Sequence, residues 1–154
     1  MKKRNRGDLL RGEHGASLVE TAILLPLFML LLLGAVDYGR AFYLGIEVAG
    51  AAHAGAIYGS RNPTDTAGMK AAAQDDAQDV PNLTVATPTS DCECPDGSNY
   101  TTGCTTNPTC ANGLSPVYRL KVTVTGNYTP LIPWPGIPSP ISFTSSASMR
   151  SAGS

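Results

Sequence analysis

The stretch ASLVETAILLPLFMLLLLGAV, Ala16 to Val36, decides how this chain of 154 residues is built. From Ala22 to Val36 no side chain is polar, and Glu20 is the one charge in the whole stretch. A helix needs about 20 predominantly apolar residues to cross the hydrocarbon core of a bilayer. The stretch has that length, so it predicts a membrane-spanning segment at residues 16–37, near the start of the chain.

The flanks set the orientation. Lys2, Lys3, Arg4, Arg6 and Arg11 precede the stretch against Asp8 and Glu13; from Ala16 onward six basic residues face ten acidic ones. Basic residues beside a membrane segment stay on the cytoplasmic side. Residues 1–15 therefore read as a cytoplasmic leader, and everything after the stretch as extracytoplasmic. Tyr38, Phe42 and Tyr43 suit the outer interface, where amphipathic rings settle. An ordinary cleaved signal has an apolar region of about 7–15 residues with small residues directly after it. Here the small residues Ala49 to Ala56 lie too far beyond the run, which favours an anchor or a pilin-type leader.

Glu20 is the conspicuous residue. A charge inside a membrane helix is costly and calls for a partner. Gly15 ends the basic leader five residues earlier. A cut between Gly15 and Ala16 creates an ammonium on Ala16, one helical turn from Glu20 and on the same face. In an assembled fibre the carboxylate can instead neutralise the terminus of a neighbouring subunit. Pro26, early in the apolar run, predicts a kink rather than a break, because neighbours or water can re-satisfy the backbone.

Glycine before the cut and glutamate at the fifth mature position resemble the type IV pilin leader. The wider segment is similar to the TadE-like family, pseudopilins of the tight-adherence (Tad) pilus system. The matching residues are Gly15-Ala16-Ser17-Leu18-Val19-Glu20-Thr21-Ala22, Pro26, and Gly34-Ala35-Val36-Asp37-Tyr38-Gly39-Arg40, with the alanine-rich Val48 to Ala56 after them. Thr21 stands where processed members often carry an aromatic residue. The resemblance implies a structural role, as a minor pilin or pseudopilin acting at initiation or at the tip of the fibre. It implies cleavage by prepilin peptidase at Gly15 and Ala16. The implied partners are other pseudopilins, the major pilin and an inner-membrane assembly platform.

Beyond the membrane segment the helix is expected to continue through residues 38–60. The small residues Ala51, Gly55 and Gly59 form an i, i+4 stripe that suits close packing, on the chain's own sheet or on another subunit. Residues 61–154 read as a small α+β domain. Asp65 or Thr66 caps a second helix running to about Val80, with Ala67, Ala71, Ala72 and Ala77 as its apolar face. Leu83 to Ala86 is a short strand. Tyr118 to Thr125 alternates apolar and polar residues, as a half-buried strand does. Pro130 to Pro140 holds five prolines around Trp134 and reads as an extended loop. Ile141 to Met149 alternates again, with Phe143, Ala147 and Met149 facing inward. The expected architecture is pilin-like: one long helix, a shorter helix and a small antiparallel sheet with a stapled loop.

The four cysteines, Cys92, Cys94, Cys104 and Cys110, lie in one polar segment. In an exported domain they read as two disulfides. A Cys92–Cys94 ring is strained, so the Cys92/Cys94 end joins Cys104 and Cys110, in one of two ways. A four-cysteine zinc site is the rival reading, and the spacing is not a double C-x-x-C. Asp91, Glu93 and Asp96 follow no calcium-loop spacing. His14 and His53 are far apart in the chain and support no triad. Nothing here forms a catalytic set, a phosphate loop or a nucleic-acid patch, so the chain reads as a non-enzyme without cofactors. Two roles remain: a pilus component, or a permanently anchored module whose stapled loop binds a ligand.

Overall fold

The computed structural model describes residues 14–151. The expected leader, residues 1–13 above all, lies outside the described residues. The helix α1 runs His14–Arg61 and α2 runs Thr66–Asp76. Four strands follow, β1 (Thr84–Val85), β2 (Thr89–Glu93), β3 (Val117–Tyr128) and β4 (Ile141–Ser151). The class is α+β, as the sequence patterns predict. The chain divides after Gly39 into two compact units. The first holds the apolar half of α1; the second holds the rest.

In the second unit β3 is the central strand. It pairs antiparallel with β4 from Tyr118↔Ser151 to Tyr128↔Ile141, without a break. A strand has two hydrogen-bonding edges, so β1 and β2 share the other one. They sit at successive positions, Thr84↔Thr125 and Val85↔Val124, then Thr89↔Lys121 to Glu93↔Val117. The period-two pattern of β3 is realised from Leu120 to Tyr128, while Tyr118 at its start is half-buried. Leu120, Val122 and Val124 are fully buried and Tyr128 nearly so, while Arg119 and Lys121 are exposed. Fully burying each such aliphatic chain contributes about 1.5–3 kcal/mol. On β4, Ile141, Phe143, Ala147 and Met149 face the same core but stay half-buried. They belong to an edge strand, with a neighbour on one side only.

The second half of α1 supplies Leu44, Val48, Ala51, Ala52 and Ala56 to this core. The small-residue stripe is used within the chain. A Cβ added at Gly55 would stand 2.9 Å from the Met69 carbonyl oxygen and 3.2 Å from the Ala73 Cβ. One added at Gly59 would stand 2.9 Å from the Met69 sulfur and 3.2 Å from Leu120. Glycine is what lets α2 and β3 approach α1 so closely.

α2 departs from expectation in two ways. It ends at Asp76 instead of reaching Val80, with turn residues between it and Pro81. Its buried face is Met69 and Ala73, continued by Ala77, whereas Ala67 and Ala71 are exposed. Alanine tolerates either side of a helix, so an alanine pattern does not point to the core; Met69 does. The N-terminus of α2 is as expected. The Asp65 carboxylate accepts the Gly68 N–H at 2.8 Å and the Tyr58 hydroxyl at 2.7 Å. These bonds hold the Asp65 carboxyl below its ordinary range, the backbone bond to Gly68 contributing most. They fill one of the donors that a helix start leaves open.

The strand β2, TSDCE, is not signalled by any apolar alternation in the sequence.

β3 also runs antiparallel to α1. Leu120 packs at Gly59, Val122 at Gly55, Gly126 at Val48 and Leu44, and the Tyr128 ring lies under the Arg40 guanidinium, 5.7 Å from its centroid. The two rulers agree: Leu120 to Tyr128 is about 26 Å by strand rise, and Arg40 to Gly59 about 28 Å by helical rise. The second unit thus has an Arg40 end, carrying the β3–β4 connection, and an opposite end, carrying the start of β3.

Candidate functional site

The residues singled out from sequence fall in both units and are described unit by unit. In the first, α1 includes Gly15 and Ala16 and continues through Pro26. From Leu18 to Val36 every large apolar side chain is exposed. The segment is long and apolar enough to cross a membrane. Glu20 is exposed within it. The neighbouring Thr21 hydroxyl donates to the Ser17 carbonyl oxygen at 2.9 Å, which satisfies it inside the helix. That internal bond is the arrangement a hydroxyl needs in lipid, where water is not at hand.

In the second unit the stapled loop stands at the end opposite Arg40. Cys92 bonds Cys104, and Cys94 bonds Cys110. This resolves the pairing that spacing leaves open, and it engages all four sulfurs. Cys92 and Cys94 are buried. A backbone bridge, Cys92↔Thr101, runs beside the first disulfide. Short 3-10 turns at Thr102–Cys104 and Ala111–Gly113 carry the chain back toward β3. Gly97 and Gly103 take left-handed backbone angles, φ 83° and 68°, which suit glycine.

The acidic residues here go to separate partners. Asp91 accepts from the Tyr100 hydroxyl and from the Gly103 N–H. Its bond to Tyr100 pushes that phenol's pKa up. Asp96 accepts from the Ser98 hydroxyl and N–H, which hold its carboxyl below the usual range. Among the described residues no three His, Cys, Asp or Glu side chains gather around a common point.

Glu93, which the sequence presents only as an acidic neighbour of Asp91, is the further functional candidate. Its side chain is 3% exposed. One oxygen accepts from the Arg119 guanidinium at 3.3 Å and the other from the Arg150 Nε at 2.5 Å. A buried carboxylate needs such compensation. Arg119 and Arg150 are cross-strand partners on β3 and β4, and like charges placed so repel. Glu93 is the counter-charge that lets them stand together. The Arg150 guanidinium also lies beside the Gly97 turn. The triad therefore ties the stapled loop to the last strand. The signal for it is parity: Glu93, Arg119 and Arg150 share one face once the strand register is known.

Residues 15–56 match the family model described as TadE-like protein. The match begins at Gly15 and covers the apolar segment and the alanine-rich half of α1 that packs on the sheet. Over that segment the chain is similar to TadE-like proteins, the likeness that the residues quoted from its sequence imply. No curated protein and no solved structure matches the chain.

Proposed function

We propose that this chain is a membrane-inserted minor pilin or pseudopilin that serves the assembly of a Tad-type pilus, at initiation or at the tip. The observation that carries the reading is the TadE-like match over residues 15–56, which spans both Gly15 and Glu20. In this reading residues 1–15 lie in the cytoplasm and prepilin peptidase cuts after Gly15 in the inner membrane. Residues 16–37 cross the bilayer and the second unit is extracytoplasmic. Glu20 then neutralises the new Ala16 ammonium, or that of a neighbouring pseudopilin or major pilin subunit. The role is structural and not catalytic.

The test is the intact mass of the membrane-extracted protein from cells with the pilus machinery. The reading expects the mass of a chain starting at Ala16; residues 1–15 still attached would refute the cleavage. Glu20→Ala is expected to be processed yet to fail in pilus assembly. Normal piliation by that variant would remove the assembly role of the carboxylate.

One observation favours a second reading, a permanently anchored binding module. The stapled loop, Cys92 to Cys110, stands at the end of its unit farthest from Arg40, where a displayed surface would be placed. That reading expects an uncut leader and no dependence on prepilin peptidase.

A further inference from the structure

The β3–β4 connection, Thr129 to Pro140, has a chemistry that pilus assembly through α1 does not use. Its sequence is TPLIPWPGIPSP, and from Val122 to Met149 the chain holds no Asp, Glu, Lys or Arg. Leu131 is 57% exposed and Ile137 50%, with Trp134 half-buried between them. Exposed apolar groups gathered on one loop mark a contact surface.

Its place in the fold narrows what the contact is. The loop springs from Tyr128 and returns at Ile141, which pair with each other. Tyr128 lies against Arg40, and the Phe143 ring would be 3.7 Å from a Cβ on Gly45. The loop therefore occupies the end of the second unit where α1 enters it. Arg40 follows the last residue of the apolar stretch, Val36, by four positions. Whatever path the chain takes, four residues reach at most about 14 Å. The Arg40 end is thus tethered within a headgroup layer's reach of the bilayer. The loop's composition fits that layer. Tryptophan is enriched there because its ring is apolar and its N–H is polar. Its five prolines carry no N–H, so the loop has fewer backbone donors to leave unsatisfied as it loses water. A charge-free loop also incurs no cost of moving an ion out of water.

We propose that the Leu131–Trp134–Ile137 loop is a second membrane contact, seated in the outer interface of the bilayer that α1 crosses. It would hold the second unit against the lipid surface and so present the opposite end, with the stapled loop, away from it. The proposal rests on the membrane-spanning reading of residues 16–37, and its test separates the two.

Trp134 is the chain's one tryptophan, so its fluorescence reports on this loop alone. The full chain is reconstituted in phosphatidylethanolamine–phosphatidylglycerol vesicles, with and without brominated acyl chains. The expected result is blue-shifted emission quenched by bromines high on the acyl chain more than by deep ones, since interfacial segments sit about 5–10 Å into the headgroup–acyl boundary. Leu131→Ser with Ile137→Ser should shift the emission red and lose the quenching while the chain still floats with the vesicles. Trp134 open to aqueous iodide and untouched by bromolipid, in a chain that floats, overturns the loop contact and leaves the span intact. Trp134 shielded from both quenchers overturns it in favour of a protein contact. A chain that does not float overturns the span, and the loop contact with it.

Discussion

Arg150, on the last strand, bonds Glu93, which lies 57 positions earlier in the chain, at 2.5 Å. With Arg119 on the other carboxylate oxygen, this pair closes the sheet's outer face at the root of the stapled loop. Hydrogen bonds to charged groups contribute about 1.5–3 kcal/mol. Both arginines are about half exposed and can rehydrate, which keeps the loss below that of a fully buried pair. Glu93→Ala should therefore destabilise the second unit by about 1.5–3 kcal/mol. Urea unfolding of the detergent-solubilised chain measures it. A double-mutant cycle with Arg150→Ala should return a coupling; strict additivity would mean the contact is passive.

Close approach along α1 gives a sharper expectation. A Cβ at Gly55 would meet the Met69 carbonyl oxygen at 2.9 Å, and backbone cannot swing aside as a side chain does. Gly55→Ala should cost about 1–3 kcal/mol as an overpacking change. Gly39→Ala, where an added Cβ meets nothing within 4 Å, should be neutral or slightly stabilising, because alanine favours helix. The same unfolding curves decide both.

The disulfides make a local claim. Replacing Cys92 and Cys104 by serine should lower stability by about 2–4 kcal/mol. Loss of amide protection should be concentrated in β2 and residues 94–110, while β3 and β4 keep theirs through their own unbroken ladder. Hydrogen exchange read by mass spectrometry separates this from global loosening.

Alkaline titration tests the contact between α1 and the segment after α2. Tyr43 donates to Asp79 at 3.2 Å, and its phenol pKa is pushed up from 10.0 to about 12, first by its hydrogen bond with Glu47 and then by the Asp79 charge. The folded chain thus holds this proton more tightly than the unfolded one. The stabilising contribution is complete below pH 10.0 and disappears as the pH rises through about 12. Tyr43→Phe should lose less stability across that window, and the latest-titrating component of phenolate absorbance should vanish.

How much of this was open to sequence reading depends on the range of the signal. The apolar stretch and the alternation of β3 are local and strong, and both appear where their patterns put them. β4 follows its alternation too, but as an edge strand its inward residues are only half-buried. The alanine pattern of α2 does not mark its buried face: Ala77 is buried but Ala67 and Ala71 are exposed, and Met69 marks the face instead. β2 carries no alternation, since Thr89, Ser90 and Asp91 are all polar; its partner strand and its disulfides make it a strand. The Glu93 triad depends on the registers of two strand pairs, which join residues distant in the chain. No local pattern encodes such a register, so the countercharge could not be assigned from sequence.

The antiparallel run of β3 along α1 has a consequence for how such a chain can change. The Arg40 end, with the β3–β4 connection, and the stapled loop are kept at opposite ends of one strand. The stapled loop leaves the sheet at Glu93 and rejoins it at Val117, and these two residues pair with each other; its disulfides close between Cys92 and Cys110. It can therefore be lengthened, shortened or replaced as a cassette without touching the helix. A lineage could diversify this loop while keeping the helix and the sheet that carry it.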